Sequence, residues 1–114
     1  MTAFRALLII LWLIIASYTV VTIVTFGPTL FPEFFGPIFA MTWQGQFNVD
    51  FSSFLILSAV WLAWRHHFTP AGLGLGVLGF FLGAFFLTAY LLVVSFQAKG
   101  DMKEILLGKA RAAA

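Results

Sequence analysis

The sequence contains no cysteine and few charged residues. The absence of cysteine excludes disulfides, thiol catalysis, iron–sulfur clusters and covalent attachment of c-type haem. The six Lys and Arg residues are scattered along the 114-residue chain, and the formal net charge is only +2. A small and scattered positive charge is not the footprint of a nucleic-acid-binding protein. We therefore expect no nucleic-acid partner.

Charged side chains make up 9% of the residues, whereas 62% of the residues are hydrophobic. A soluble domain carries about 25% charged residues, and a domain of this size buries only about 60–70% of its chain surface. Water cannot solvate the apolar surface that remains. The composition therefore predicts an integral membrane protein with membrane lipid as a partner.

Three long apolar stretches predict membrane helices over about 4–26, 47–66 and 71–97. The first stretch holds 21 consecutive uncharged residues, 6–26. A signal-peptide h-region has only about 7–15 residues, so we expect a retained helix. The predicted fold class is all-α: a multi-pass three-helix bundle that forms a single transmembrane domain over residues 1–114.

The segment 27–46, between the first two helices, is rich in helix breakers. Its stretch GPTLFPEFFGP holds three prolines and two glycines in eleven residues, and an interior proline costs a helix about 3 kcal/mol. We expect an irregular interfacial segment, in which a short helix near 32–39 is one option. In the tail, 98–114, Asp101 and Glu104 have the spacing of a capping box, which predicts a short interfacial helix.

Three crossings place the N-terminus and the loop after Arg65 on one side of the membrane and the tail on the other. The positive-inside rule then gives a divided answer. Arg5 and Arg65 favour a cytoplasmic N-terminus, because the segment 27–46 holds no Lys or Arg. The tail favours the opposite orientation through Lys99, Lys103, Lys109 and Arg111. We expect the N-terminus to be cytoplasmic.

Glycines recur along the third predicted helix at Gly72, Gly76, Gly79 and Gly83. Their spacing places them on one face, and two pairs form G-x-x-x-G motifs, which let helix backbones approach closely in lipid. We expect this face to pack against one of the other two helices. The alternative is a groove for a neighbouring subunit or for a flat or rod-shaped hydrophobic ligand.

Asp50 stands at the head of the second predicted helix, just inside the apolar slab. Membrane helices seldom turn polar residues towards lipid, so we expect a polar cluster around Asp50 inside the bundle. Its predicted members are Asn48, Ser53, Thr22, Thr25, Tyr90 and Gln97, with Ser95 and Lys99 as further partners. Asp50 is interpreted either as a proton or cation site or as a helix cap, a role that Asn48 can also take. One carboxylate near one surface does not make a proton relay.

His66 and His67 are adjacent, and adjacent helical side chains diverge by about 100°, so the pair cannot grip one metal ion. No metal site is expected. With Tyr90, the two histidines are the candidates for cofactor binding, for example as axial ligands of a haem or chlorophyll-type pigment. The alternative is an interfacial belt with Trp61 and Trp64. The fifteen phenylalanines suit contact with lipid, a carotenoid or a quinone equally well.

The stretch WQGQFNVDFSSFLILSAVWLAWRHH, followed by a third span that contains glycines, resembles an uncharacterised family of small three-helix bacterial and cyanobacterial integral membrane proteins. The resemblance covers the whole chain in length and helix plan, and residues 43–65 in motif. It implies that Asp50, with Asn48, is a shared feature. It also implies a bacterial inner membrane, cytoplasmic or intracytoplasmic. No activity follows from it.

The sequence holds no Ser/His/Asp set, phosphate loop, dinucleotide fingerprint or metal-ligand spacing. We expect a non-catalytic accessory or structural subunit of a larger membrane complex, respiratory or photosynthetic, with other membrane-protein subunits as partners. The alternative is a small homo-oligomeric transporter or channel that uses Asp50. A third hypothesis is a scaffold for a carotenoid, a quinone or a chlorophyll-type pigment.

Overall fold

A computed structural model describes residues 1–114 as seven α-helices without a strand. The all-α prediction is confirmed, but the chain divides into more helices than the three that were predicted. In chain order the helices are α1 (Thr2–Phe26), α2 (Leu30–Ala40), α3 (Trp43–Arg65), α4 (Pro70–Leu82), α5 (Ala84–Gln97), α6 (Met102–Leu107) and α7 (Lys109–Ala113).

Two helices, α1 and α3, are long and apolar enough to cross a membrane. They hold 25 and 23 residues, with a mean hydropathy of 2.7 and 1.4 over their most apolar windows. At about 1.5 Å per residue, each helix is longer than the hydrocarbon core of a bilayer, which is about 30 Å thick. With 13 and 14 residues, α4 and α5 each extend only about 20 Å. Neither short helix reaches across alone.

The chain reverses direction at Gly83, between α4 and α5. Gly83 has φ 60° and ψ −138°, a backbone region that is open almost only to glycine. Gly83 lies against Leu55 in the middle of α3, and Tyr90 on α5 returns to Arg65 at the end of α3. The prediction of a single helix over 71–97 is therefore wrong. Two antiparallel helices, which we call the α4–α5 hairpin, occupy this stretch.

The glycines of α4 lie against α3. Gly72, Gly76 and Gly79 are buried, and a Cβ on Gly76 would stand 2.9 Å from the carbonyl oxygen of Ala59. At Gly79 it would stand 2.6 Å from the Cδ1 of Leu62. The fourth glycine predicted for this face, Gly83, also lies against α3 but forms the turn after the last residue of α4.

The segment 27–46 is mostly helical, which corrects the irregular segment expected there, and α2 confirms the option of a short helix near 32–39. Pro32 lies in the first turn of α2, where a helix needs no backbone donor. Pro37 lies inside α2 and removes one internal hydrogen bond. The helix ends at Met41 in the left-handed conformation, and α3 begins at Trp43 rather than near residue 47. The helix thus accommodates both prolines, one in its first turn and one in its interior.

The tail forms two short helices rather than one. The carboxylate of Asp101 accepts a hydrogen bond of 3.1 Å from the backbone N–H of Lys103 and so begins α6. Gly108, with φ 85°, separates α6 from α7. Ile105 on α6 is fully buried against Val94 and Ala98 at the end of α5. The tail is therefore packed against the ends of the long helices.

The substitution Gly83→Ala should destabilise the α4–α5 hairpin by about 1–3 kcal/mol, because alanine cannot adopt this backbone conformation without strain. Unfolding in detergent micelles by a denaturant measures the change. The matched control is Gly74→Ala, since Gly74 lies in α4 with open space around it, and this change should be neutral or stabilising by up to about 1 kcal/mol. Equal stability of the two variants would contradict the assigned turn.

Candidate functional site

Arg65, the last residue of α3, ties together three helices. Its Nε donates to the carbonyl oxygen of Ile105 at 2.7 Å, and its Nη2 donates to that of Glu104 at 3.2 Å. Its Nη1 donates to the hydroxyl of Tyr90 at 3.0 Å. The last carbonyls of a helix often lack internal partners. The guanidinium supplies a donor to the Ile105 carbonyl and a second donor to that of Glu104, which also accepts from the backbone N–H of Gly108 at 2.9 Å. Arg65 therefore joins α3 to both α5 and α6.

His66 shares the Tyr90 hydroxyl with Arg65. The Nε2 of His66 lies 2.6 Å from the Tyr90 Oη, and the hydroxyl oxygen already accepts a hydrogen bond from Arg65. The Nη1 of Arg65, which can only donate, also lies 3.4 Å from Nε2, so Nε2 is placed to act as the unprotonated acceptor of the hydroxyl proton. This geometry favours a neutral imidazole that carries its proton on Nδ1. It also occupies the ring nitrogen that would otherwise bind a pigment or haem.

Tryptophans complete the junction with α6 and α7. The Nε1 of Trp61 donates to the carbonyl oxygen of Leu106 at 3.0 Å. The guanidinium of Arg111 lies 3.9 Å from the ring centroid of Trp64 and donates to the Trp64 carbonyl oxygen. We call the set of Trp61, Trp64, Arg65, His66, Tyr90 and Arg111 the Arg65 cluster.

Arg5 makes the corresponding attachment for α1. Its Nε donates to the Oγ of Ser95 at 3.0 Å, and its Nη2 donates to the Ser95 carbonyl oxygen at 2.9 Å. Its guanidinium also lies over the ring of Phe96, 4.1 Å from the centroid. Ser95 is fully buried. The start of α1 is thus fixed to the end of α5, on the same side of the molecule as the Arg65 cluster.

All six basic side chains consequently lie at one end of the molecule, which we call the cationic end. They are Arg5, Arg65, Lys99, Lys103, Lys109 and Arg111. Asp101 and Glu104 lie there as well, so this end carries six positive and two negative charges, a net +4. The opposite end carries Glu33 and Asp50, a net −2. Charge is thus sharply separated along the molecule.

The polar cluster predicted around Asp50 does not form. Asp50 is exposed and borders an open recess with Thr42, Gln46 and Val49. The residues expected from the third helix lie at the cationic end, because the chain turns back at Gly83; these are Tyr90, Ser95, Gln97 and Lys99.

The other predicted members satisfy themselves locally. The Thr22 hydroxyl donates to the Tyr18 carbonyl oxygen at 2.8 Å, and the Ser53 hydroxyl donates to that of Val49 at 3.2 Å. Thr25 is exposed. Each hydroxyl that donates to a carbonyl four residues earlier needs no partner from another helix.

Neither Asn48 nor Asp50 caps α3. The cap is Thr42, whose hydroxyl accepts from the backbone N–H of Gly45 at 3.1 Å. Asn48 is buried, and its Nδ2 donates to the carbonyl oxygen of Phe34 at 2.8 Å. Its side-chain oxygen accepts from Gln44 at 2.8 Å. Asn48 therefore holds α2 against α3, a role that the sequence did not indicate.

An apolar groove runs between α3 and α5 with Gly83 and Ala84 at its far end. Its volume is about 490 Å³, and Trp61 and Leu106 border it towards the cationic end. The lining includes Phe51, Leu55, Ser58, Leu87 and Leu91. Such a lining suits an acyl, isoprenoid or carotenoid chain.

His67, the other histidine predicted as a cofactor ligand, is exposed and lies outside the Arg65 cluster.

Comparisons of the chain with protein-family models, with curated proteins and with solved structures found no match. The resemblance carried by residues 43–65 therefore stays a prediction. The function has to be inferred from the geometry of the two ends and of the apolar surface between them.

Acid should weaken the Arg65 cluster. Burial lowers the pKa of His66, and repulsion from Arg65 and His67 lowers it further. In the unfolded chain His66 has a pKa of about 6.5, so the unfolded chain binds more protons than the folded chain at a pH between the two pKa values. The stability that neutral His66 contributes is complete above that value and is lost as the pH falls through the lower folded-state pKa.

The free energy of unfolding in micelles, measured from about pH 8 to about pH 5, checks this expectation across the titration range of histidine. His66→Asn should flatten the acid side of the profile. His67→Asn, the matched control at the exposed neighbour, should keep the wild-type profile. A wild-type profile in the His66 variant would contradict the role of its imidazole.

Proposed function

We propose that this chain is a non-catalytic integral membrane protein that serves as an accessory subunit of a larger membrane complex. The observation that carries the proposal is the apolar surface that the helices leave open. Leu8 is the only buried residue of α1, and Val24, Phe39 and Trp43 are each at least 80% exposed. Contiguous apolar surface on this scale marks contact with a membrane or with another protein.

The Gly83 turn supports the subunit role in particular. The turn lies about 20 Å from the cationic end, the length of α4, and so at hydrocarbon depth. The first backbone N–H groups of α5 have no partners within their own helix, and Ala84 and Phe85 are exposed. Open backbone at this depth is tolerated only beside protein or a water-filled cavity. A neighbouring subunit at the turn would supply that cover.

The C-terminal half of α1, residues 14–26, offers a second contact surface. The helix packs on α5 along its first half, from Arg5 at Ser95 to Trp12, whose ring stacks on that of Phe85 with centroids 5.3 Å apart. Beyond Leu13 none of its residues is buried. Lipid covers such a surface in a free chain, and a helix of another subunit can replace the lipid in a complex.

The cationic end gives the orientation in this proposal. By the positive-inside rule the end with all six Lys and Arg residues faces the cytoplasm. Both termini are then cytoplasmic, α1 and α3 cross the membrane, and the α4–α5 hairpin enters and leaves from the cytoplasmic side. The two groups of basic residues, which favour opposite orientations in a three-crossing chain, agree in this arrangement.

The chemical setting completes the proposal. The resemblance carried by residues 43–65 supports a bacterial inner membrane, where respiratory or photosynthetic complexes carry small subunits of this kind. The groove between α3 and α5 then takes lipid, a carotenoid or a quinone.

Fractionation and sizing test the subunit role. The chain should stay in membranes that are washed with alkaline carbonate, which releases peripheral proteins. After gentle extraction in detergent it should run as a particle larger than one 12.6 kDa chain with its detergent. A stable, homogeneous monomer would overturn the subunit role, and release by carbonate would overturn the membrane location.

Single cysteines test the topology on a background that has none. Thr2→Cys and Ala113→Cys should both resist a membrane-impermeant thiol reagent in intact cells and react after lysis. Thr29→Cys, in the loop before α2, should react in intact cells. Three full crossings would instead expose Ala113→Cys on the same side as Thr29→Cys, and that result would exclude the α4–α5 hairpin.

A further inference from the structure

The basic side chains of the cationic end fall into two classes. The three arginines are held by the protein: Arg5 by Ser95, Arg65 by the α6 carbonyls and Arg111 by Trp64. The three lysines are exposed. We call this exposed set, Lys99, Lys103 and Lys109, the lysine rim. The arginines organise the structure, which leaves the lysine rim as the charge offered to the surroundings.

Lys99 lies in the turn that ends α5. Lys99 has φ 53° and follows the end of α5 at a position where glycine is usual. The turn is closed by the N–H of Gly100, which donates to the carbonyl oxygen of Ser95 at 2.9 Å. A left-handed conformation strains a residue with a Cβ. Met41, His67 and Phe68 adopt the same conformation, so the backbone fixes the position of Lys99 at the turn without marking a function by itself.

Apolar side chains lie beside the lysine rim on α6. Met102 and Leu106 are 39% and 47% exposed, and Lys103 lies between them in the sequence. Trp61 and Trp64 mark the same level of the molecule, as aromatic residues commonly do at the boundary between hydrocarbon and headgroups. The lysine rim therefore sits where lipid headgroups begin.

We propose that the lysine rim binds the headgroups of anionic phospholipids in the leaflet that faces the cationic end, so that the chain prefers anionic to zwitterionic lipid. The inference rests on the proposed membrane location and names the class of lipid that this location supplies. Charge complementarity carries it, since the cationic end has a net +4 and the opposite end a net −2. An ammonium group on a flexible stem suits a mobile phosphodiester, whereas the arginines are fixed in place.

Tryptophan quenching by brominated lipid measures this preference. The protein, with Trp12→Phe and Trp43→Phe so that Trp61 and Trp64 report alone, is reconstituted into mixed vesicles of phosphatidylglycerol and phosphatidylcholine. Bromine is carried on the chains of one lipid at a time. We expect stronger quenching by brominated phosphatidylglycerol, with a preference of up to about fivefold for each lysine that declines between low and high salt.

The triple change of Lys99, Lys103 and Lys109 to Gln should bring the preference close to equality. This variant has a formal charge of −1, three less than the native +2. Adding Glu33→Gln and Asp50→Asn at the opposite end returns the charge to +1, and the preference should stay lost if its source is the lysine rim. Glu33→Gln and Asp50→Asn alone should leave the native preference unchanged.

Each other outcome overturns the proposal. Equal quenching by both lipids in the native protein, or an unchanged preference in the triple variant, excludes lipid binding by the lysine rim while leaving the membrane location intact. Displacement of the lipid preference by inorganic phosphate, beyond the effect of chloride at equal ionic strength, assigns the lysine rim to a free anion instead. A chain that does not enter vesicles overturns the proposed function as well.

Discussion

The reversal of the chain at Gly83 is the constraint on which the rest of the structure depends. It divides residues 70–97 into two helices that are each too short to cross a bilayer, and it sends α5 back to the side where α4 began. Tyr90 then reaches Arg65, and Ser95 reaches Arg5. A straight helix would carry both residues to the opposite end. The hydrogen bonds of Arg5 and Arg65 to α5 therefore depend on the reversal of the chain at Gly83.

The two kinds of basic residue divide the work at that end. Arg65 uses Nε, Nη1 and Nη2 on three different acceptors, which a lysine ammonium cannot reproduce in the same planar geometry. Arginine thus joins the ends of neighbouring helices through hydrogen bonds to their backbone carbonyls. The lysines remain exposed. One charge thereby serves two physical purposes, cohesion within the chain and attraction to its surroundings.

Features that a short stretch of sequence determines could be predicted, whereas features that depend on contacts between distant residues could not. The helix predicted over 4–26 corresponds closely to α1, because an unbroken apolar run determines it. Thr42 was overlooked as the cap of α3, although its hydroxyl needs only the N–H three residues later. The cluster around Asp50 required helices to meet at a particular level, and no local pattern encodes that level. Gly83 continues the spacing of the packed glycines, so periodicity alone could not distinguish a turn from a contact.

A signal for the turn was nevertheless present in the charges. With three crossings, the basic residues of the tail oppose Arg5 and Arg65, and the positive-inside rule cannot satisfy both groups. Requiring all of them on one side demands an even number of passages, and hence a reversal within residues 70–97. Arms of equal length place that reversal midway between Pro70 and Gln97, between residues 83 and 84. Gly83 is the glycine at that point, so a conflict between charge and topology locates the turn that periodicity conceals.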